Sequence, residues 1–155
     1  FMVTTSMFST DSIERLSMKL TFEIEPVEQA RPRATKMGRG IRLYDPKKVA
    51  TYKKQLAMMC RFQYKKEPIE GPLKVELTFY RHVQSSLSKR ERELRLTGAH
   101  RPTVKPDTDN YIKSTLDGLN GLLWEDDNQI VDLVAHKYYS DNPRIEIEIT
   151  KLDRK

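Results

Sequence analysis

The segment LKVELTFY at 73–80 constrains the fold more than any other stretch of this chain. Leu73, Val75, Leu77 and Phe79 alternate with Lys74, Glu76, Thr78 and Tyr80, and a two-residue period gives an extended strand one apolar and one polar face. One such strand is not stable alone; it needs paired neighbours and a second layer over its apolar face. KLTFEIE at 19–25 repeats the pattern with Leu20, Phe22 and Ile24. Between the two, Val49, Tyr52, Leu56, Met59 and Phe62 recur at helical spacing, and Asp45-Pro46 is a start signal, which predicts a long amphipathic helix over 46–66. Met58, Met59 and Cys60 within it read as packing residues.

The remaining elements follow from the same rules. Ser88 with Glu91 three residues on makes a capping-box pattern and predicts a short charged helix, either a solvated face or a DNA contact. Asp109 and Asn110 lead into YIKSTLDGLNGLL, whose Ile112, Leu116, Leu119 and Leu123 form an apolar stripe and predict a helix over 110–123. Residues 130–139 and 144–150 are strand-like, and the turn signal SDNP at 140–143 predicts that they pair as a hairpin. Residues 27–42 carry Pro32, Gly38 and Gly40 and read as a flexible loop, solvated or touching phosphates. Residues 1–17 lack a sustained period and read as a flexible tail, leaving 18–155 as one domain. The order predicts an α/β (α+β) domain: a small mixed sheet of about four strands packed with two to three helices.

A chain of 155 residues can bury such a core without disulfides or structural metal. Its single cysteine excludes an internal disulfide and its three histidines form no zinc pattern. No stretch approaches the roughly 20 apolar residues of a membrane span. The expectation is a soluble cytoplasmic protein with no membrane partner and no organic cofactor. Lys and Arg number 28 against 22 Asp and Glu, for a net charge of +6, which favours a polyanionic partner. The cations gather at Arg31, Arg33, Lys36, Arg39, Arg42, Lys47 and Lys48, and again at Lys89, Arg90, Arg92, Arg95, Arg101 and Lys105, whereas acids thicken over 107–132. A basic surface around a small acidic centre suits a metal-dependent nuclease, in which cations hold phosphates and carboxylates hold the metal.

Asp107 and Asp109 stand just before a helix, where two carboxylates can converge on a hard cation such as Mg²⁺, or serve as an N-cap and a turn residue. Lys113 lies four residues beyond Asp109 and Asp117 four beyond that, either a salt-bridge ladder or a phosphate-contacting face. Glu125, Asp126 and Asp127 add three acids after the apolar GLLW, offering a third ligand.

With these residues in view, PDTDNYIKSTLDGLNGLLWEDDNQIVDL resembles the signature of the RusA family of Holliday junction resolvases: D-x-D-N, a lysine four residues on, then D-D-x-Q-[IV]. Asn110, Asp117, Trp124 and Gln129 agree as well. Weaker likeness in ARPR, LYDPKK and EGPLKVELTFY is similar to versions of the family from phages and prophages of Gram-positive bacteria. The resemblance implies that Asp107 and Asp109 are metal ligands, that Asp127, in preference to Asp126, is the third, and that Lys113 is the catalytic lysine. It also implies Mg²⁺, with Mn²⁺ as a substitute, and a homodimer that binds branched DNA and cuts four-way junctions symmetrically. Arg31, Arg33, Lys36, Arg39, Arg42, Arg101 and Lys105 are then the candidate DNA contacts. Pro106 stands where some members carry a basic residue, so Lys105 or Arg101 takes over that charge. No histidine is needed as a base; His82, His100 and His136 read as surface or sheet residues.

Two rivals stand beside this reading: a non-catalytic nucleic-acid-binding module whose acids are caps and turns, and a nuclease acting on flaps or forks. A straight helix over 110–123 also raises a geometric problem, since it would carry Asp127 roughly 20 Å from Asp109. Either the chain breaks at Gly118–Gly121 and folds Asp127 back, or Asp127 meets Asp107 and Asp109 of a second copy across a two-fold axis.

Overall fold

The computed structural model describes residues 4–10 and 13–153, with side chains from residue 17 onward. Strands β1 (Thr4–Thr10) and β2 (Ile13–Phe22) are followed by β3 (Arg33–Met37), β4 (Gly40–Tyr44), helix α1 (Lys47–Gln63) and strand β5 (Leu73–His82). Helices α2 (Lys89–Leu96) and α3 (Thr108–Leu119) come next, then a 3-10 turn (Asp127–Gln129) and strands β6 (Ile130–Ser140) and β7 (Arg144–Lys151).

The main sheet runs β1-β2-β7-β5-β6, antiparallel except for the parallel β5–β6 pair. Its four strands β2-β7-β5-β6 are the expected mixed sheet, and β1 lengthens it at one edge. Alternation places Leu20 and Phe22, Leu73 through Phe79, and Ile145, Ile147 and Ile149 on one face. Val49, Tyr52, Leu56 and Cys60 of α1, with Tyr111, Leu116 and Leu119 of α3, cover that face. The helices pack closely because residue 118 is glycine: a Cβ there would meet Leu56 Cδ2 at 3.2 Å and the Lys53 Cα at 3.4 Å. A buried hydrogen bond of 2.8 Å between Tyr52 Oη and Thr115 Oγ1 ties them further. Met58 faces solvent instead of packing.

Four further expectations change. Residues 4–10 and 13–17 lie in strands rather than an unpaired tail; Thr4, Thr5, Phe8 and Thr10 favour strands by propensity, which a search for period does not register. Within 27–42, the sequence MGRG makes a tight turn with Gly38 at φ 60°, so β3 and β4 pair where a flexible loop was expected. β6 and β7 do not form a hairpin; β5 lies between them and pairs with both. The SDNP turn spans two strand spacings, roughly 10 Å, because β5, fully buried along its apolar face, takes the interior position between β7 and β6. Finally, α3 stops at Leu119: Asn120 is extended, Gly121 sits at φ 81°, and the Gly121 N–H donates to the Trp124 carbonyl at 2.8 Å. That turn drives Leu123 and Trp124 into the core.

Candidate active site

The loop before α3 is held to the sheet edge by side chains donating to its carbonyls. Arg81 donates to the Lys105 carbonyl at 2.9 Å, and Lys137 Nζ donates to those of Val104 and Pro106 at 3.1 and 2.9 Å. Arg101 Nε donates to the Lys137 carbonyl at 3.2 Å, and its guanidinium sits 4.0 Å above the Tyr138 ring. This anchoring delivers Asp107 to the N-cap position of α3, where its carboxylate makes no capping hydrogen bond. Asp109 follows in the first turn, and both are exposed. Lys137 approaches Asp107; burial and the Arg81 charge push its ammonium below the ordinary lysine range, against the opposing pull of Asp107.

The other end of α3 carries a second charged group. Lys53 Nζ bridges Asp45 Oδ2 at 2.7 Å and Asp117 Oδ2 at 2.6 Å, and Gln29 Nε2 donates to Asp45 Oδ1 at 3.0 Å. The Lys53 hydrogen bond holds the Asp45 carboxyl below its usual range. Burial depresses the Lys53 ammonium, but Asp117 and Asp45 outweigh it and raise its pKa. These residues line a cleft of about 480 Å³ with Ile112, Lys113, Leu116 and Asp127. Burial, then Asp126 and Asp117 beside it, push the Asp127 carboxyl up. A neighbouring cleft of about 510 Å³ is lined by Lys113, Asn110, Gln29 and Arg31, so Lys113 stands between the two.

The acidic turn explains which of its aspartates is available. Asp126 caps the 3-10 turn, accepting from the Asn128 N–H at 3.1 Å, in a capping box completed by Gln129. Gln129 Oε1 accepts from the Glu125 and Asp126 N–H groups, while its Nε2 donates to the carbonyls of Ile69 and Gly71. Gln129 therefore staples the turn to the chain, Asp126 is committed to backbone, and Asp127 faces the cleft.

Asp107 and Asp109 thus share the first turn of α3, Lys113 sits midway, and Asp127 folds back beside Asp117. Asp109 and Asp117 are eight residues apart on α3, roughly 12 Å along its axis. Among the described residues, no three His, Cys, Asp or Glu side chains converge on a metal-sized position. Arg33, Lys36, Arg39 and Arg42 lie on the exposed β3–β4 hairpin, Arg31 lies at its base, and Arg101 and Lys105 lie in the loop that precedes Asp107. Sequence reasoning missed Gln29, Asp45, Lys53 and Lys137. Asp45 was visible only as a helix start; Lys53, eight residues on, gave no signal, since its partner Asp117 is on another helix. The histidines pair elsewhere with Glu25, Glu91 and Glu76.

The family model described as "Endodeoxyribonuclease RusA" matches residues 23–150. The chain is similar to "Uncharacterized protein YqaN" of Bacillus subtilis (strain 168), at 37% identity over 137 residues, covering 87% of this chain and 96% of that protein. It is also similar to "Crossover junction endodeoxyribonuclease rusA" of Lactococcus phage r1t, at 31% identity over 145 residues, 87% of this chain and 100% of that one.

Proposed function

The chain belongs to the endodeoxyribonuclease RusA family, and from that premise we propose that it is a divalent-cation-dependent nuclease that resolves four-way DNA junctions as a homodimer. The observation carrying this reading is the exposed start of α3, where Asp107, whose carboxylate makes no capping hydrogen bond, is followed by Asp109 and Lys113, and where Lys113 shares a cleft with Arg31. The donors suit Mg²⁺, or Mn²⁺ in its place, in being carboxylate oxygens only. Within one chain Asp127 shares its cleft with Ile112, Lys113, Leu116 and Asp117 and not with Asp107 or Asp109, and among the described residues no three carboxylates gather at a metal-sized position.

A second copy offers the completion. β6 is one of the two edge strands of the sheet and exposes Val131, Leu133 and Val134, at 62%, 43% and 38%. Asp127 directly precedes β6, while Lys137 near its other end reaches the loop carrying Asp107. Antiparallel apposition of two β6 strands about a two-fold axis would carry Asp127 of one copy toward Asp107 and Asp109 of the other. Two identical sites would result, suited to two symmetric cuts. A bound cation would supply charge neutralisation at the scissile phosphate and activation of a water. Lys113 adds a fixed positive charge beside that phosphate, and the cations of β3, β4 and the 98–106 loop hold the flanking backbone.

The test incubates the protein with four-way, forked and linear duplex DNA, with Mg²⁺ and with EDTA. Symmetric nicking of the four-way substrate under Mg²⁺ alone supports the proposal. No cleavage of any substrate under Mg²⁺ or Mn²⁺ favours a binding module, equal cutting of linear duplex removes the resolvase reading, and preference for forks moves the substrate.

A further inference from the structure

Every residue of β3 and β4 is exposed, yet the hairpin carries Met37, Ile41, Leu43 and Tyr44 at 57%, 71%, 67% and 44% exposure. The register sorts them by face. Ala34 opposes Leu43 and Lys36 opposes Ile41, whereas Arg33 opposes Tyr44 and Thr35 opposes Arg42. Directly opposed residues share a face, so one face carries Ala34, Leu43 and Ile41 with Lys36, and the other carries Arg33, Arg42 and Tyr44 with Thr35 and Met37.

The base of this ribbon is clamped. Gln29 Nε2 donates both to the Ala30 carbonyl and to Asp45 Oδ1, tying the chain before β3 to the chain after β4, and Lys53 anchors Asp45 to α1. A two-stranded hairpin with an uncovered apolar face is marginal in water, so a ligand that covers the blade would stabilise it. Charge identifies that ligand: residues 30–44 hold Arg31, Arg33, Lys36, Arg39 and Arg42 and no acid. An apolar protein surface would not answer cations on both faces of the blade. DNA at a branch point does, because it presents phosphates beside base-pair faces that lack a stacking neighbour.

We infer that the β3–β4 ribbon enters the branch point of the DNA, with Ile41 and Leu43 against uncovered base faces and Arg33, Arg39 and Arg42 on the phosphates of the adjoining arms. The ribbon is then the element that distinguishes branched from linear DNA. This inference rests on the proposed function, and its test separates the two.

Binding is measured in EDTA, at one salt concentration, to a four-way junction and to linear duplex of equal length, with 2-aminopurine at the crossover as a stacking reporter. The Ile41→Thr/Leu43→Thr double variant retains strand propensity and should lower the junction-to-duplex preference by on the order of tenfold and abolish the 2-aminopurine response. Arg33→Gln/Arg42→Gln should weaken both substrates together. A double variant that keeps its preference overturns the inference while leaving the proposed function in place. So does a wild type that prefers junctions with no 2-aminopurine response, or a double variant that drops from dimer to monomer by light scattering, which would assign the face to a second copy. A wild type with no junction preference removes both.

Discussion

Replacing Lys53 with Met removes the cation shared by Asp45 and Asp117 while keeping a side chain of similar length and the backbone approach of Lys53 to Gly118. Its two partners differ in exposure: the side chains of Lys53, Asp45 and Asp117 are 16%, 24% and 62% exposed. The Asp117 arm is therefore screened and contributes roughly 0.2–1 kcal/mol. The Asp45 arm is a charged hydrogen bond in a partly enclosed position, where roughly 1.5–3 kcal/mol is typical before desolvation is subtracted. A net loss of about 2 kcal/mol near neutral pH is expected, and Lys53→Arg should recover part of it. The pH dependence follows from the shifts. Asp45 is lowered in the folded state, so its contribution is full above the ordinary carboxylate range and disappears as pH falls through the lowered value. Lys53 is raised, so its contribution is full below the ordinary ammonium range and fades only above it. Urea unfolding of wild type and Lys53→Met should therefore differ at pH ~7 and converge toward pH ~3. An equal difference at both pH values would refute the ion-pair account and leave packing as the cause.

Asp107→Asn or Asp109→Asn should abolish cleavage while leaving metal-free junction binding intact or tighter, because removing negative charge does not weaken attraction to a polyanion; a folded variant that loses both, in cleavage and gel-shift assays, would contradict the ligand assignment. Lys113→Ala should lower the cleavage rate more than the affinity, one phosphate contact among many contributing little to binding; equal losses would make it a DNA anchor. The raised Asp127 carboxyl is protonated at a higher pH than an ordinary aspartate, so cleavage should fall early on acidification. Asp117→Asn removes one of the neighbouring charges that raise it and should move that acid limb to lower pH; an unmoved rate–pH profile would show that Asp127 ionisation does not limit the reaction.

The local periods in the sequence were faithful where one face of an element is buried. Leu73 to Phe79 and Val49 to Leu56 announced β5 and α1 because burial imposes a two- or 3.6-residue spacing. Partnership is not local, so the same patterning could not say that β5 would separate β6 from β7, or that Lys53 would meet Asp117. The β3–β4 ribbon was hidden because both its faces are exposed and its glycines look like loop punctuation until they are seen as one turn. In the site, the order of Asp107, Asp109, Lys113 and Asp127 was legible as a motif. Their distribution along α3 was legible only as two alternatives, and the break at Gly118–Gly121 that the sequence offered is the one found, because Asn120 is extended, Gly121 turns the chain and Trp124 is buried.

The central claim is that each site draws its carboxylates from two copies of the chain, and mixing two inactive variants tests it most directly. Asp107→Asn and Asp127→Asn proteins are combined under conditions that exchange subunits, with heterodimer formation verified by differential tags. In shared sites, each heterodimer carries one doubly altered site and one intact site, so junction nicking should reappear at up to half the activity per dimer. If every site is built within one chain, each retains a lesion, and a mixture that stays inactive despite verified heterodimers would contradict the account.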